Sequence, residues 1–314
     1  MAGGQERELR RRIRSIQSTK KITRAMELIA ASRITRAQQA IAAARPYVAK
    51  MSEVVSHLAD TPDGRAHPLF RSPEAVRRSA VIAIAGDRGL SGAYNSSIIR
   101  ATERVAGENP GVETNIVAVG RKVINHFRYR NRELAATFTG LAEKPTAADA
   151  KRVVDAVMEP FLAGELDEIT LVYTHFVSVG SQQVRVRKLV PLELEQAEAN
   201  KAGGDAAHRA DYEFEPDPGE ILDRLLPAWL QAEVLAALLS ASASEYAARQ
   251  RAMKAATDNA DELVKTLSRV MNRARQDAIT TEIMEIVGGA EALRGGESHH
   301  GYSETYVQPD TQSA

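Results

Sequence analysis

The chain contains no cysteine, which excludes disulfides and thiolate-held metal sites. Aromatic residues supply only 5% of it. With so few large side chains and so much alanine, the composition suits long helices packed through small residues better than a bulky globular core. Helix breakers are also missing where they would matter most. Between Trp229 and Glu291 there is no proline, and no glycine before Gly288, so nothing in the covalent chain interrupts a helix there. No apolar run approaches the ~20 residues of a membrane span, so any attachment to a membrane is expected to be through partners. Net charge is absent too, at +0 overall.

What the chain does have is two long heptad patterns. From Leu222 the three-four walk reads Leu222, Leu225, Trp229, Ala232, Ala236, Leu239, Ala243, Tyr246, Gln250, Met253, Thr257, Ala260, Val264, Leu267, Met271, Ala274 and Ala278. This predicts a helix over 217–294, on the order of 110 Å long at ~1.5 Å per residue, too long to stand without a partner. From Leu9 the same walk gives Leu9, Ile13, Ile16, Lys20, Thr23, Glu27, Ala30, Ile34, Ala37, Ile41, Ala44, Val48, Met51, Val55 and Leu58. Because the two patterns flank everything else, the simplest arrangement is an antiparallel coiled coil with a globular domain inserted at one end. Setting Leu58 beside Leu222 brings Leu9 beside Met271 and leaves 272–294 as an unpaired tip.

Charge supports the pairing. Residues 1–59 carry twelve Lys/Arg against four Asp/Glu, and 217–294 carry nine against twelve, so the two helices attract. The arginines at the start (Arg7, Arg10, Arg11, Arg12, Arg14) resemble a transit peptide, but the heptads already begin at Leu9 and mark this segment as mature structure.

Between the helices, 60–78 reads as a linker rich in Pro and Gly. Strands are predicted over 79–85, 115–119, 134–139, 169–176 and 184–190, and helices over 96–106, 122–129 and 146–162, the last opened by a capping box of Thr146 with Asp149. In the last strand Val184 and Val186 alternate with Arg185 and Arg187, as on a half-exposed edge. This order predicts a small doubly wound, Rossmann-like, mostly parallel sheet domain over 79–193 with an antiparallel edge, giving an α/β fold overall. A polar loop and approach segment follows at 194–216, and 295–314 reads as a disordered tail.

Few motifs carry chemistry. Gly86-Asp87-Arg88-Gly89-Leu90-Ser91-Gly92 lies between a strand and a helix, where a phosphate loop would be, yet it matches neither Gly-x-Gly-x-x-Gly nor a Walker loop; glycines in a tight turn are the default reading. Histidines are scattered, so no metal is expected. Glu282 and Glu285 share a helix face without a basic or nucleophilic partner, which fits a solvated face or an inter-subunit contact rather than catalysis. Lys20, Thr23 and Glu27 are the three polar seam positions, and Ile22, Met26 and Ile29 form an apolar neighbouring face. Either the packing shifts locally there, or this turn serves an outer sleeve as well as its partner helix; the second reading is preferred. In the tip, apolar residues regroup as Ile279, Ile283, Ile286 and Val287.

Several segments together resemble one family. Ile279, Thr280, Glu282, Glu285, Gly289 and Ala290 resemble the C-terminal signature of the gamma subunit of F-type ATP synthase. Residues 13–31, 86–95 and 252–259 are similar to that family's first helix, central turn and last helix. The resemblance implies a central rotor shaft without an active site or cofactor, turning inside a hexamer of alpha and beta subunits on a c-subunit ring beside epsilon. It implies proton-driven rotation coupled to ATP synthesis or hydrolysis at the beta subunits. The expected location is peripheral, on the cytoplasmic face of a bacterial plasma membrane. By position it implies that Arg275, Gln276 and Thr280 meet a catch loop, that Met26 and Arg249 face the beta lever, that Ile279, Ile283, Ile286 and Val287 form a bearing, and that Tyr212 and Glu215 belong to the foot. The sequence departs from the pattern at Ser91, in the loop 195–209 and in the tail, and it lacks the cysteine-bearing insert of chloroplast members.

Two other classes were weighed. A nucleotide-binding enzyme on the sheet would bind ATP stoichiometrically by itself. A nucleic-acid scaffold would use the basic first helix, but that helix has no aromatic before Tyr47 for stacking, and its charge already has an acidic partner in the chain.

Overall fold

In the computed structural model the described residues are 2–59, 61, 67, 69, 70, 73, 75–192 and 218–297. The elements in order are α1 (Ala2–Ala59), β1 (Arg78–Ile84), α2 (Tyr94–Glu108), β2 (Glu113–Val119), α3 (Arg121–Tyr129), β3 (Ala136–Phe138), α4 (Ala147–Leu162), β4 (Glu168–Phe176), β5 (Gln182–Val190) and α5 (Pro218–Glu297). Both long helices carry an internal proline, Pro46 in α1 and Pro227 in α5. A proline removes one backbone hydrogen bond, but a seam that keeps burying side chains on either side holds the helix together. At its far end α5 runs three residues beyond the expected 294, through Gly295 and Gly296 to Glu297. Glycine weakens a helix by about 1 kcal/mol without ending it. The rest of the expected tail and the whole of 194–216 lie outside the described residues.

The chain divides into two compact units, Met1–Ile22 with Thr257–Ala314, and Thr23–Ala256. Within both, the seam is real. All fifteen seam positions of α1 are buried or half-buried, and Leu58 and Leu222 are both fully buried. In the smaller unit Lys20 pairs with Asp261. In the larger one Trp229 Nε1 donates to Ser52 Oγ at 2.9 Å and Arg33 donates to the Tyr246 hydroxyl at 2.8 Å. Each of these pairs falls within one residue of the register that sets Leu58 beside Leu222. The antiparallel coiled coil is therefore observed.

The sheet lies in the larger unit, with strand order β3-β2-β1-β4-β5. The pairs β1/β2, β1/β4 and β2/β3 are parallel and β4/β5 is antiparallel. Alternation along β1 sorts the two faces. Ala80, Ile82 and Ile84 meet Val153, Val154 and Val157 of α4 together with Val55 and Leu58 of α1 and Leu226, Leu230 and Val234 of α5. Val81 and Ala83 meet Ile98 and Ala101 of α2 and Val123 and Phe127 of α3. The paired helices thus share one face of the doubly wound sheet with α4.

The sheet domain is inserted between the two long helices, as expected. The sheet packs along the flank of α5, and from Trp229 to Ala247 every side chain of that helix is buried or half-buried. A heptad seam covers only one stripe; here α1 takes one side and the sheet takes another. Contrary to expectation, α5 is long and apolar enough to cross a membrane, with a mean hydropathy of 1.4 over its most apolar 18-residue window, and the same packing accounts for it. That window is 67% buried within the chain, so its apolar surface faces protein.

The capping box of α4 forms as expected. The Thr146 hydroxyl accepts from the Asp149 N–H, and Asp149 accepts in return from the Thr146 N–H. On the edge strand β5 the outcome differs from the alternation that was read. Val184 and Val186 are exposed, whereas Arg187 turns inward to pair with Glu233 of α5.

Candidate functional site

Open α/β sheets bind ligands beyond the carboxyl ends of their strands, where the strand order reverses. Here that point lies between β1 and β4, and the glycine-containing turn 86–92 stands at it. The chain fills the place itself. A Cβ on Gly86 would lie 2.7 Å from Glu245 Oε1 and 2.8 Å from its carboxyl carbon, so only glycine leaves room for the carboxylate of α5. Arg249 donates to Glu245 and to the Gly89 carbonyl. Asp87 accepts the N–H groups of Arg121 and Gly140 at 3.1 and 2.9 Å. Asn95 accepts the Gly86 N–H and donates to the Arg88 carbonyl. Groups that would cradle a phosphate are thus spent on holding the turn, and Glu245 supplies the negative charge.

Glu245 is 4% exposed. Burial pushes its carboxyl up, Arg249 pulls it back, and the charges of Asp87 and Glu143 add to the rise. Around it runs a closed circuit of contacts. Arg33 of α1 lies over the Tyr246 ring at 5.4 Å and reaches Glu143 at 3.5 Å; Arg88 of the turn meets Glu143 at 2.9 Å; Arg249 lies over the same Tyr246 ring at 5.7 Å. About three turns earlier on α5, Glu233 pairs with Arg187 of β5 and accepts from Ser52 of α1 at 3.3 Å. Sequence reasoning passed over both carboxylates. Their signal was present: Glu233 and Glu245 are the only charged residues between Trp229 and Ala248. No group of three or more His, Cys, Asp or Glu arranged to hold a metal occurs among the described residues.

The residues singled out from sequence are not brought together. Arg249 is buried, 8% exposed, and its guanidinium is held by Glu245, Gly89 and the Tyr246 ring. Its guanidinium is thus already engaged within the chain, since a buried cation needs a nearby carboxylate. Met26 is half-buried, while neighbouring Leu28 and Ile29 are exposed. Glu27 is buried and takes Arg24 on both oxygens at 2.9 and 3.1 Å, so this polar seam position is paired locally. Tyr212 and Glu215 lie outside the described residues.

The smaller unit carries the tip. Arg275, Gln276 and Thr280 are exposed, and Thr280 Oγ1 donates only back to the Gln276 carbonyl at 3.0 Å. Every described side chain from 279 to 293 is exposed, including Ile279, Ile283, Ile286 and Val287 and the signature residues Glu282, Glu285, Gly289 and Ala290. Met284 and Leu293 are also exposed apolar residues of the tip, at 68% and 78%, beyond the four read from sequence. So large an apolar surface on one helix marks an interaction site.

Comparison with known proteins converges on one family. The family model described as ATP synthase matches residues 5–293. The chain is 48% identical to the ATP synthase gamma chain of Frankia casuarinae over 301 residues, covering 93% of this chain and 99% of that one. It is 46% identical to the ATP synthase gamma chain of Kineococcus radiotolerans over 301 residues, covering 94% and 99%. Among solved structures it resembles a chain of the central stalk and c-ring of Tetrahymena thermophila mitochondrial ATP synthase, with a TM-score of 0.56, 26% identity, and 75% of this chain and 99% of that one covered. The fold also matches a chain of the Euglena gracilis mitochondrial enzyme, with a TM-score of 0.65 over 98% of this chain and 100% of that one, at 18% identity. A paired-helix fold with its sheet crevice filled from within, an exposed apolar tip and these matches along almost the whole length together establish that the chain belongs to the ATP synthase gamma-chain family.

Proposed function

We propose that this chain is the central rotor shaft of an F-type ATP synthase, a non-catalytic subunit that couples proton-driven rotation of a c-subunit ring to the catalytic beta subunits. The observation that carries the reading is 48% identity to a gamma chain over 99% of that chain's length. Its partners are the alpha and beta subunits, epsilon and the c ring, within a membrane-associated complex that it joins peripherally. We place it on the cytoplasmic face of a bacterial plasma membrane, on the ground that the similar gamma chains come from bacteria. The chain is further divided into coiled-coil segments at 1–59 and 217–294, a sheet domain at 79–193, and the connecting segments 60–78 and 194–216.

The contact residues follow from exposure and position. The apolar tip is the bearing, with Ile279, Ile283, Ile286 and Val287 against the sleeve, and Arg275, Gln276 and Thr280 supply polar contacts to a catch loop. Met26, beside the exposed Leu28 and Ile29, faces the beta lever, and Tyr212 and Glu215 are assigned to the foot. Arg249 is assigned to the same lever contact by its position in the family. Affinity purification of the tagged chain from membranes tests the reading. Alpha, beta, epsilon and c subunits are expected together in the eluate, and their absence refutes it.

A further inference from the structure

Where α5 passes the sheet, between 240 and 248, its side chains are mostly small, and Ser240 and Ser244 meet the Phe176 N–H and the Thr174 carbonyl of β4. Small side chains allow close approach, but they offer little relief to resist sliding of one packed element along another. Two carboxylates interrupt this smoothness. Glu233 reaches Arg187 of the edge strand and Ser52 of α1. Glu245 enters the space left by Gly86, while its partner Arg249 holds the Gly89 carbonyl. Twelve residues along a helix is about 18 Å, so the two attachments are well separated along the axis.

A buried ion pair is a poor source of stability, since burial cancels much of the attraction, and its best-attested use is to fix registry. Glu233 joins α5 to the edge strand directly through Arg187, whereas Glu245 and Arg249 lie one turn apart on α5 and reach the sheet domain through the gap at Gly86 and the Gly89 carbonyl, so the two attachments stand at two heights. They add to the hydrogen bonds that join Ser240 and Ser244 to β4 and Arg251 to the turn before β5; one charged attachment would permit rotation about itself, and two resist it. Removing Glu245 leaves the buried Arg249 without its counter-charge, and removing Glu233 leaves the half-buried Arg187 without its own, which loosens the contact instead of merely softening it.

We propose that Glu233 and Glu245 are positioning residues that pin the sheet domain to the paired helices, so that torque passes between them without slip. The proposal rests on the rotor reading of the preceding section. Neither carboxylate touches a reacting atom, and neither is placed in a partner contact.

The test uses the assembled enzyme in proteoliposomes, carrying Glu245→Gln, Glu233→Gln or Gly86→Ala. The third variant keeps every charge but puts a methyl group where the Glu245 carboxylate sits. Assembly, ATP hydrolysis and protons pumped per ATP hydrolysed are measured together. The pins predict complexes that assemble and hydrolyse ATP but pump several-fold fewer protons per ATP, with the Glu233→Gln/Glu245→Gln pair worse than either alone. A merely structural role would lower assembly and leave that ratio unchanged, and an unchanged ratio in the assembled variants overturns the proposal. For a variant that does not assemble, amide exchange in the purified full chain decides: faster exchange over 86–95 in Glu245→Gln supports the pin, and unaltered exchange refutes it. Failure of the rotor reading is distinguishable, because the unmodified complex would then lack this chain.

Discussion

At Asp167 one carboxylate oxygen accepts the backbone N–H groups of both Arg77 and Arg78, each at 2.8 Å, where β1 begins beside β4. Those two bonds hold its carboxyl below the usual aspartate range, the Arg78 bond first. A depressed folded value means the stabilisation is present above the ordinary aspartate pKa and is lost as pH falls through the folded one. Asp167→Asn is expected to cost about 1 kcal/mol at neutral pH. The gap to the unmodified chain should close in acid, as thermal unfolding across pH would record. Met26 is read differently, since its side chain is half-buried beside two exposed apolar neighbours. Met26→Lys adds a cation there with little disturbance of the seam, and is expected to leave assembly intact while lowering protons pumped per ATP hydrolysed. Unaltered pumping would remove Met26 from the lever face. Residue-level legibility was uneven: the Thr146–Asp149 box could be read because a capping box is local in sequence, whereas the inward turn of Arg187 depends on a carboxylate 46 residues away.

At the scale of the element, α5 changes character along its length. Between Trp229 and Ala247 it is enclosed by α1 and the sheet; over 279–293 it is exposed all round. Heptad spacing identified the helix and its register, since that information lies in the order of side chains along one element. The second contact of 229–247 escaped it, because a run of Ala, Ser and Leu reads the same whether one face or all faces are covered. An isolated helix segment with no buried face is marginal in water. The free chain is therefore expected to show fast amide exchange over 276–290, and the assembled complex strong protection there. Equal protection in both states would mean that the tip finds its partner within its own chain, and the bearing assignment would fall.

For the molecule as a whole, the α/β domain resembles a nucleotide-binding sheet but its crevice is already occupied. Gly86, Gly89, Asp87 and Asn95 are committed to the turn, and Glu245 puts a carboxylate where a phosphate would have to bind. Like charge and lack of space both exclude the ligand. The purified chain is accordingly expected to hydrolyse no ATP once contaminating catalytic subunits are removed. Stoichiometric ATP binding by the full chain, measured calorimetrically, would show that α5 vacates the crevice.

Sequence by itself determined the two long helices, their antiparallel register, the order of strands and helices between them, and the family. Each of these follows from the spacing of residues along the chain, and periodicity is a property of the chain. Tertiary structure alone decided that the sheet packs along the flank of α5, that Arg249 is buried, and that Glu233 and Glu245 meet the sheet domain. Those facts depend on which surfaces meet. A carboxylate in an alanine-rich helix is costly to bury until its surroundings accommodate it; Glu233 needs Arg187 from β5 and Glu245 needs the gap at Gly86, and nothing in the local sequence of either says that these distant segments will arrive.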